Sequence, residues 1–247
     1  MFATTACGAS TSSPGAAATA SPKLSGAVTV FAAASLNEAF KDDKTQLANA
    51  NPGLTVTYSF AGSQQLVAQI QAGAPADVVA TADEANMQKL VAANLVETPT
   101  DFAKNRLEIV VAPGNPRSVK ALSDLSRADL KVVLEDPSVP AGKYGRQALD
   151  KQGVKVMPVS LELDVKSELQ KVESGEADAG IVYVTDVKSA GSKATGILIP
   201  AEQNVVATYP VAVVKATTNH ALAQAFLDQL ISGTGQDALK ARGFLTP

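Results

Sequence analysis

The sequence predicts an α/β protein of two lobes, on three observations. Apolar runs of strand length alternate with amphipathic stretches of helical period. A turn-rich junction at Pro113-Gly114-Asn115-Pro116 splits this alternation into two series. Each series is long enough, at about 100 residues, to close a core of its own.

In the first series, residues 28–31 form a short apolar strand, and Ala32-Ala33-Ala34-Ser35 leads from it into a helix over 36–49. Leu36, Ala39, Phe40 and Leu47 share one face of that helix, and Asn51-Pro52-Gly53 stops it. Leu54, Val56, Tyr58 and Phe60 recur with period two, which marks 54–60 as a strand. Ala61-Gly62-Ser63 opens a second helix with Leu66, Val67 and Ile70 on its apolar face. Residues 78–81 are the third strand, and Met87, Leu90, Val91 and Leu95 mark the helix behind it. Three such units predict a mainly parallel sheet covered by helices.

A strand over 107–112 runs up to the junction. Beyond it the pattern predicts a strand at 131–135, a helix near 143–151 and a strand at 154–159. A helix at 165–173 and a strand at 179–184 complete the second series. The chain then returns as a strand over 205–214 and ends in amphipathic helices at 220–231 and 236–241.

Residues 9–26 are Ala, Ser, Thr, Pro and Gly, interrupted only by Lys23 and Leu24. Such a stretch holds too little apolar bulk to offset its ordering entropy, so 1–26 is expected to be a disordered tether. The small residues before Cys7-Gly8 resemble the end of a bacterial lipoprotein signal, in which Cys7 becomes the lipidated first residue. The charged and apolar regions of such a signal are missing, and an incidental exposed thiol is the alternative. Neither reading makes Cys7 catalytic, because nothing around it would position it.

Composition removes several classes of function. With 24 acidic and 21 basic side chains, net charge −3 and no run of three Lys/Arg, a nucleic-acid backbone finds no electrostatic footprint. The absence of Trp leaves few platforms for stacked bases. One Cys and one His permit neither an intrachain disulfide nor a thiolate or imidazole zinc site. No run of about 18 apolar residues is present to cross a membrane as a helix. Catalysis is not expected: there is no Gly-x-Ser-x-Gly elbow, Walker lysine or dinucleotide fingerprint. The single imidazole, His220, stands at the start of a late helix as a surface or capping residue. A monomer is expected.

Four loops join a strand end to a helix start, where unpaired N–H groups and the positive end of the helix dipole favour an anion. They are Ala34-Ser35-Leu36, Ala61-Gly62-Ser63, Pro140-Ala141-Gly142 and Leu163-Asp164-Val165. The plain reading makes Ser35 and Ser63 N-caps and Pro140-Ala141-Gly142 an ordinary turn. The functional reading turns their donors toward a ligand. Asp164 is expected to cap its own helix, which leaves the Val165 N–H facing forward. Tyr183 ends a strand and offers a phenolic O–H, either to the sheet or to a ligand.

Past the tether, the chain resembles the periplasmic molybdate-binding proteins of ABC importers. The resemblance rests on Val30-Phe31-Ala32-Ala33-Ala34-Ser35-Leu36, Phe60-Ala61-Gly62-Ser63, Gln69-Ile70-Gln71-Ala72-Gly73-Ala74-Pro75-Ala76-Asp77-Val78 and Glu135-Asp136-Pro137. It continues through Val139-Pro140-Ala141-Gly142, Asp164-Val165, Gly180-Ile181-Val182-Tyr183 and Tyr209-Pro210-Val211-Ala212-Val213-Val214, in family order. It implies the type II periplasmic binding protein fold, two α/β lobes around a cleft. Lobe 1 would be residues 27–106 and 209–247, and lobe 2 residues 107–208. It implies capture of molybdate, and tungstate with it, by the hydroxyls of Ser35, Ser63 and Tyr183 and the backbone N–H groups of Ala141 and Val165. It also implies delivery to the membrane permease of an importer, an extracytoplasmic location, no cofactor and no direct protein–metal ligand. Thr185 departs from the family pattern and is expected to serve helix capping.

Molybdate, tungstate and sulfate are tetrahedral dianions that carry no proton at neutral pH. A cleft made only of donors suits them, whereas hydrogen phosphate would leave its proton unpaired there. A carboxylate among the donors is therefore not expected. Arg106, Arg117 and Arg146 lie outside the four loops, which argues against an amino-acid receptor. Donor chemistry does not separate molybdate from sulfate, and a binding protein for sulfate or another small anion is the alternative.

Overall fold

The computed structural model describes Met1 and residues 23–247. Cys7 and most of the expected tether lie outside the described residues. The first three units are strand–helix pairs. They comprise β1 (Gly26–Ala33), a 3₁₀ turn (Ala34–Leu36), α1 (Asn37–Ala50), β2 (Leu54–Ala61), α2 (Ser63–Gln71), β3 (Val78–Ala80) and α3 (Glu84–Ala92). β1 lies between β2 and β3 and is parallel to both. Ala39, Phe40 and Leu47 are buried together on one side of α1, with Leu36 buried at its cap, the face that their spacing marks. Burying a side chain of that size contributes about 1.5–3 kcal/mol.

β4 (Thr100–Val111) is the spine of the molecule. The second series follows it as β5 (Val133–Glu135), α4 (Pro140–Lys151), β6 (Ser160–Glu162), α5 (Val165–Glu173), β7 (Ala179–Tyr183), α6 (Val184–Ala190) and β8 (Thr195–Leu198). β9 (Val206–Val213), α7 (His220–Ser232) and α8 (Thr234–Arg242) return to the first lobe. From Thr100 to Arg106, β4 pairs with β9, which itself pairs with β3. From Leu107 onward it pairs with β7 and β8 instead. These pairings are antiparallel, so the sheet is mixed rather than mainly parallel. Asn204 brackets the change of partner: its side chain accepts the Leu107 N–H at 3.0 Å and donates to the Leu107 carbonyl at 2.8 Å.

Several expectations need correction. Residues 154–159 are not a strand: Pro158 has no N–H to donate, the Val154 N–H closes the end of α4 on the Leu149 carbonyl, and Val159 reaches the Val132 carbonyl. The strand lies just beyond, as β6 parallel to β5. α4 begins at Pro140 rather than near Lys143, with proline at its first position, where a missing N–H costs nothing. α6 and β8 had no counterpart in the periodicity. The lobes do not close separate cores. One buried cluster runs from Val28 and Leu47 through Ala34 and Ala141 to Leu169 and Val182. A smaller one, with Phe31, Leu66, Ile70 and Met87, lies under α2 and α3. The shared strand and the shut cleft make the apolar interior continuous.

Candidate functional site

A pocket between the lobes is lined by Ser35, Gly62, Ser63, Ala82, Glu135, Pro140, Ala141, Asp164, Val165 and Tyr183, with Ala33, Ala34 and Val139. All four loops singled out in the sequence meet here, and so do all five candidate residues, Ser35, Ser63, Ala141, Val165 and Tyr183. The cavity volume is about 10 Å³, room for roughly one water-sized group, which excludes an organic ligand and leaves a small ion.

Neither serine is an N-cap. Ser35 lies inside the 3₁₀ turn, buried, with its Oγ 3.0 Å from the Tyr209 hydroxyl. Ser63 is the first residue of α2, and Gly62 occupies the cap position, its N–H taken by Gln65 Oε1 at 3.1 Å. The Ser63 Oγ accepts the Ala82 N–H at 3.0 Å. A hydroxyl whose acceptor side is filled by the backbone keeps its one proton for another partner. For Ser63 that proton is available on the pocket side.

The opposite wall is built from two helix starts. Proline at the head of α4 puts the Ala141 N–H in the first turn, where no carbonyl of its own helix can reach it. Gly142 makes the approach possible: a Cβ there would stand 2.3 Å from the Asp136 carbonyl oxygen. Asp164 caps α5 as expected, its Oδ1 accepting the Lys166 and Ser167 N–H groups at 2.9 Å each. Its other oxygen takes the Ser167 hydroxyl at 2.9 Å, so the carboxylate is occupied within its own turn and the Val165 N–H is left to the pocket. Three helices thus bring their positive ends to one place.

Tyr183 closes β7, fully buried, and its hydroxyl has no hydrogen-bond partner among the described residues. Burial foremost, then the nearby Tyr209 and Glu135, hold its phenol well above the usual range. It therefore stays protonated and acts as a donor. The Tyr183 ring meets Tyr209 edge-on at 5.8 Å.

Glu135 corrects the expectation of a wall made only of donors. It ends β5 and lines the pocket. Its Oε2 accepts the Gly142 N–H at 3.3 Å, and its Oε1 has no partner among the described residues. Burial first, then repulsion from Glu168 and Asp186, raises its carboxyl well above the carboxylate range. The signal was present in the sequence: an acid, Glu135, follows the apolar run Val132-Val133-Leu134 at the strand terminus where open sheets bind ligands. Thr185 is not a helix cap. It is buried and accepts the Asn105 side-chain N–H at 2.8 Å, joining α6 to β4. Tyr209, the partner of Ser35, carried no separate signal.

The lobes touch at the mouth. Gln64 donates to the Leu163 carbonyl at 2.8 Å, and Lys143 lies 3.7 Å from Asp83. The imidazole of His220 pairs at the surface with Glu97, 2.6 Å away. Arg106, Arg117 and Arg146 do not line the pocket, and among the described residues no cluster of His, Cys, Asp or Glu is arranged to hold a metal ion.

Residues 28–245 match the family model described as bacterial extracellular solute-binding protein. The chain is 43% identical over 221 residues to the molybdate-binding protein ModA of Mycobacterium tuberculosis, covering 89% of this chain and 85% of that protein. Among solved structures it is similar to a substrate-binding domain assigned to a molybdenum ABC transporter of Clostridium difficile. That likeness has a TM-score of 0.66 and 30% identity, and covers 90% of this chain and 99% of the other. The sulfate-binding protein SubI of Mycobacterium tuberculosis shares the fold, with a TM-score of 0.77 at 20% identity, over 88% of this chain and 86% of its own.

Proposed function

The chain belongs to the molybdate-binding proteins of the bacterial extracellular solute-binding family, and from that premise we propose that it captures molybdate, or tungstate, in the interlobe pocket. It works outside the cytoplasm as the binding component of an ABC importer and catalyses no reaction. The ligand set is read as Ser35, Ser63, Ala141, Val165 and Tyr183. One observation carries this reading: hydroxyl and N–H donors from separate loops of both lobes line a single small pocket that contains no cationic side chain.

The chemistry follows from that wall. A proton-free tetrahedral dianion has acceptors on every side, and fixed donors at helix starts stabilise it through dipoles already oriented before it arrives. Closure of the lobes removes water and strengthens each bond. No protein atom needs to reach the metal, since every contact is to an oxygen. The lobes are read as residues 27–106 with 209–247 and residues 107–208, in support of which β4 changes partners between Arg106 and Leu107. Handover to the permease follows from the same reading, because the closed shape differs from the open one and marks a loaded protein. Attachment to the membrane through a lipid on Cys7 belongs to it too, supported by the small residues before Cys7-Gly8.

Calorimetric titration of one preparation with molybdate, tungstate, sulfate and phosphate tests the assignment. Tight binding is expected for the first two, weak binding for sulfate and none for phosphate. Equal affinity for sulfate would replace molybdate with a general oxyanion receptor, and binding of none of the four would end the reading.

A further inference from the structure

Glu135 does not fit a wall that merely avoids negative charge. Only 1% of its surface is exposed, it lines the pocket together with Ser35, Ser63, Ala141 and Tyr183, and one of its oxygens is unpartnered among the described residues. Its surroundings offer no cation to balance it. Glu168 on α5 faces it, with Oε1 accepting the Ile181 N–H at 2.6 Å and Oε2 unpartnered. Gly180 leaves room for that second acid, since a Cβ there would lie 2.4 Å from Glu168 Oε1.

Asp186 on α6 is tied to Lys166 at 2.8 Å, and Glu162 on β6 to Lys171 at 2.6 Å. Asp164 is satisfied by the first turn of α5. Tyr183 on β7 and Tyr144 on α4 present phenols, both pushed up by burial foremost. Lys143 reaches across the mouth to Asp83. Each lysine near the site therefore already has an acid, while Glu135 has only the Gly142 N–H, and Glu168 only the backbone N–H groups of Ile181 and Glu135.

We propose that Glu135 is a further member of the anion site, present as a neutral carboxylic acid that offers its hydroxyl to the bound oxyanion. The inference rests on the molybdate reading. Two acids packed against each other without a cation hold a proton in preference to a charge. A dianion arriving beside them strengthens that preference. When Glu135 is ionised in the free protein, capture takes up one proton: carboxylate, proton and dianion become a carboxylic acid hydrogen-bonded to the dianion. The proton supplies the single positive charge that the pocket otherwise lacks.

The test uses the full chain, sodium molybdate, and the variants Glu135→Gln and Glu168→Gln. Infrared difference spectra at neutral pH should show a carboxylic-acid C=O band that shifts when molybdate binds, and Glu135→Gln should abolish it. Calorimetry from about pH 6.5 to about pH 9 should show wild-type affinity falling by up to about tenfold per pH step once Glu135 ionises. The profile of Glu135→Gln should be flat. Glu168→Gln removes the like-charged neighbour but leaves the pocket wall intact, so Glu135 should ionise sooner and the fall should move to lower pH. This arm decides the matter if Glu135→Gln does not fold. Binding with no responsive carboxyl band, or a band that survives Glu135→Gln, would overturn the proposal and leave the molybdate reading standing. Failure of the wild type to bind molybdate or tungstate at any pH would overturn the reading beneath it.

Discussion

Replacing Gly62 with alanine tests whether the shut cleft is what holds the ion. Gly62 has φ −59° and ψ 141°, a conformation open to any residue, so alanine adds no backbone strain. What it adds is a methyl group whose carbon would stand 2.3 Å from the Leu163 carbonyl oxygen of the other lobe, where ordinary contact begins at about 3.4 Å. The side chain of Gln64 also lies near, but it can swing aside; the Leu163 backbone cannot. The lobes must then part by about 1 Å at this point, enough to stretch a hydrogen bond of about 2.8 Å beyond its useful range.

Ser63 follows Gly62 directly and Val165 lies two residues beyond Leu163, so the proposed donors on opposite walls are drawn apart. Losing one or two bonds to a charged ligand, at about 1.5–3 kcal/mol each, predicts an affinity loss of about 1.5–6 kcal/mol, at least roughly tenfold. Calorimetric titration with molybdate measures it, and a thermal melt without the ion should be unchanged, because the collision exists only in the closed form. Affinity within about threefold of wild type would refute the claim that closure to this distance is needed for binding.

Two further outcomes follow from single side chains. Tyr183→Phe deletes a buried hydroxyl that has no partner among the described residues. Molybdate binding should weaken by about 10- to 100-fold while the ion-free protein melts at the same temperature or higher. A lower melting temperature with unchanged affinity would make Tyr183 a structural residue only. Asp43, on α1, is buried beside the unpartnered hydroxyl of Tyr58, and burial raises its carboxyl from its ordinary 3.8 to about 6, opposed by a hydrogen bond from Thr234. The folded state thus holds this proton more tightly than the unfolded chain. The resulting stability is fully present below pH 3.8 and is lost as pH rises through about 6. Asp43→Asn should therefore stabilise the protein by about 2–3 kcal/mol at pH 8 and by little at pH 4, measured by urea unfolding. Equal effects at both pH values would show that ionisation of Asp43 does not limit stability.

What could be read from the sequence alone was whatever acts over a few residues. Asp164 is a cap because its side chain needs only the N–H groups two and three positions ahead. The buried faces of α1 and α2 follow from helical spacing, and Pro140 marks a helix start because its ring suits the first turn and spoils any later one. The strand expected over 154–159 failed for an equally local reason, a proline whose missing N–H outweighs alternating valines.

The rest depended on distance through space. That Ser35 bonds to Tyr209 and not to its own helix was decided by β9 returning beside β3, one strand away from β1, after most of the chain had been laid down. The same holds for Gly62, whose missing side chain matters only because Leu163 of the other lobe comes to rest against it. Glu135 makes the division plainest: the sequence places an acid at the end of a strand, but whether that acid carries charge depends on Glu168, Asp186 and the exclusion of water. Propensity and capping are sums over neighbours along the chain, whereas protonation and pocket shape are set by neighbours across it, and only the folded arrangement supplies those.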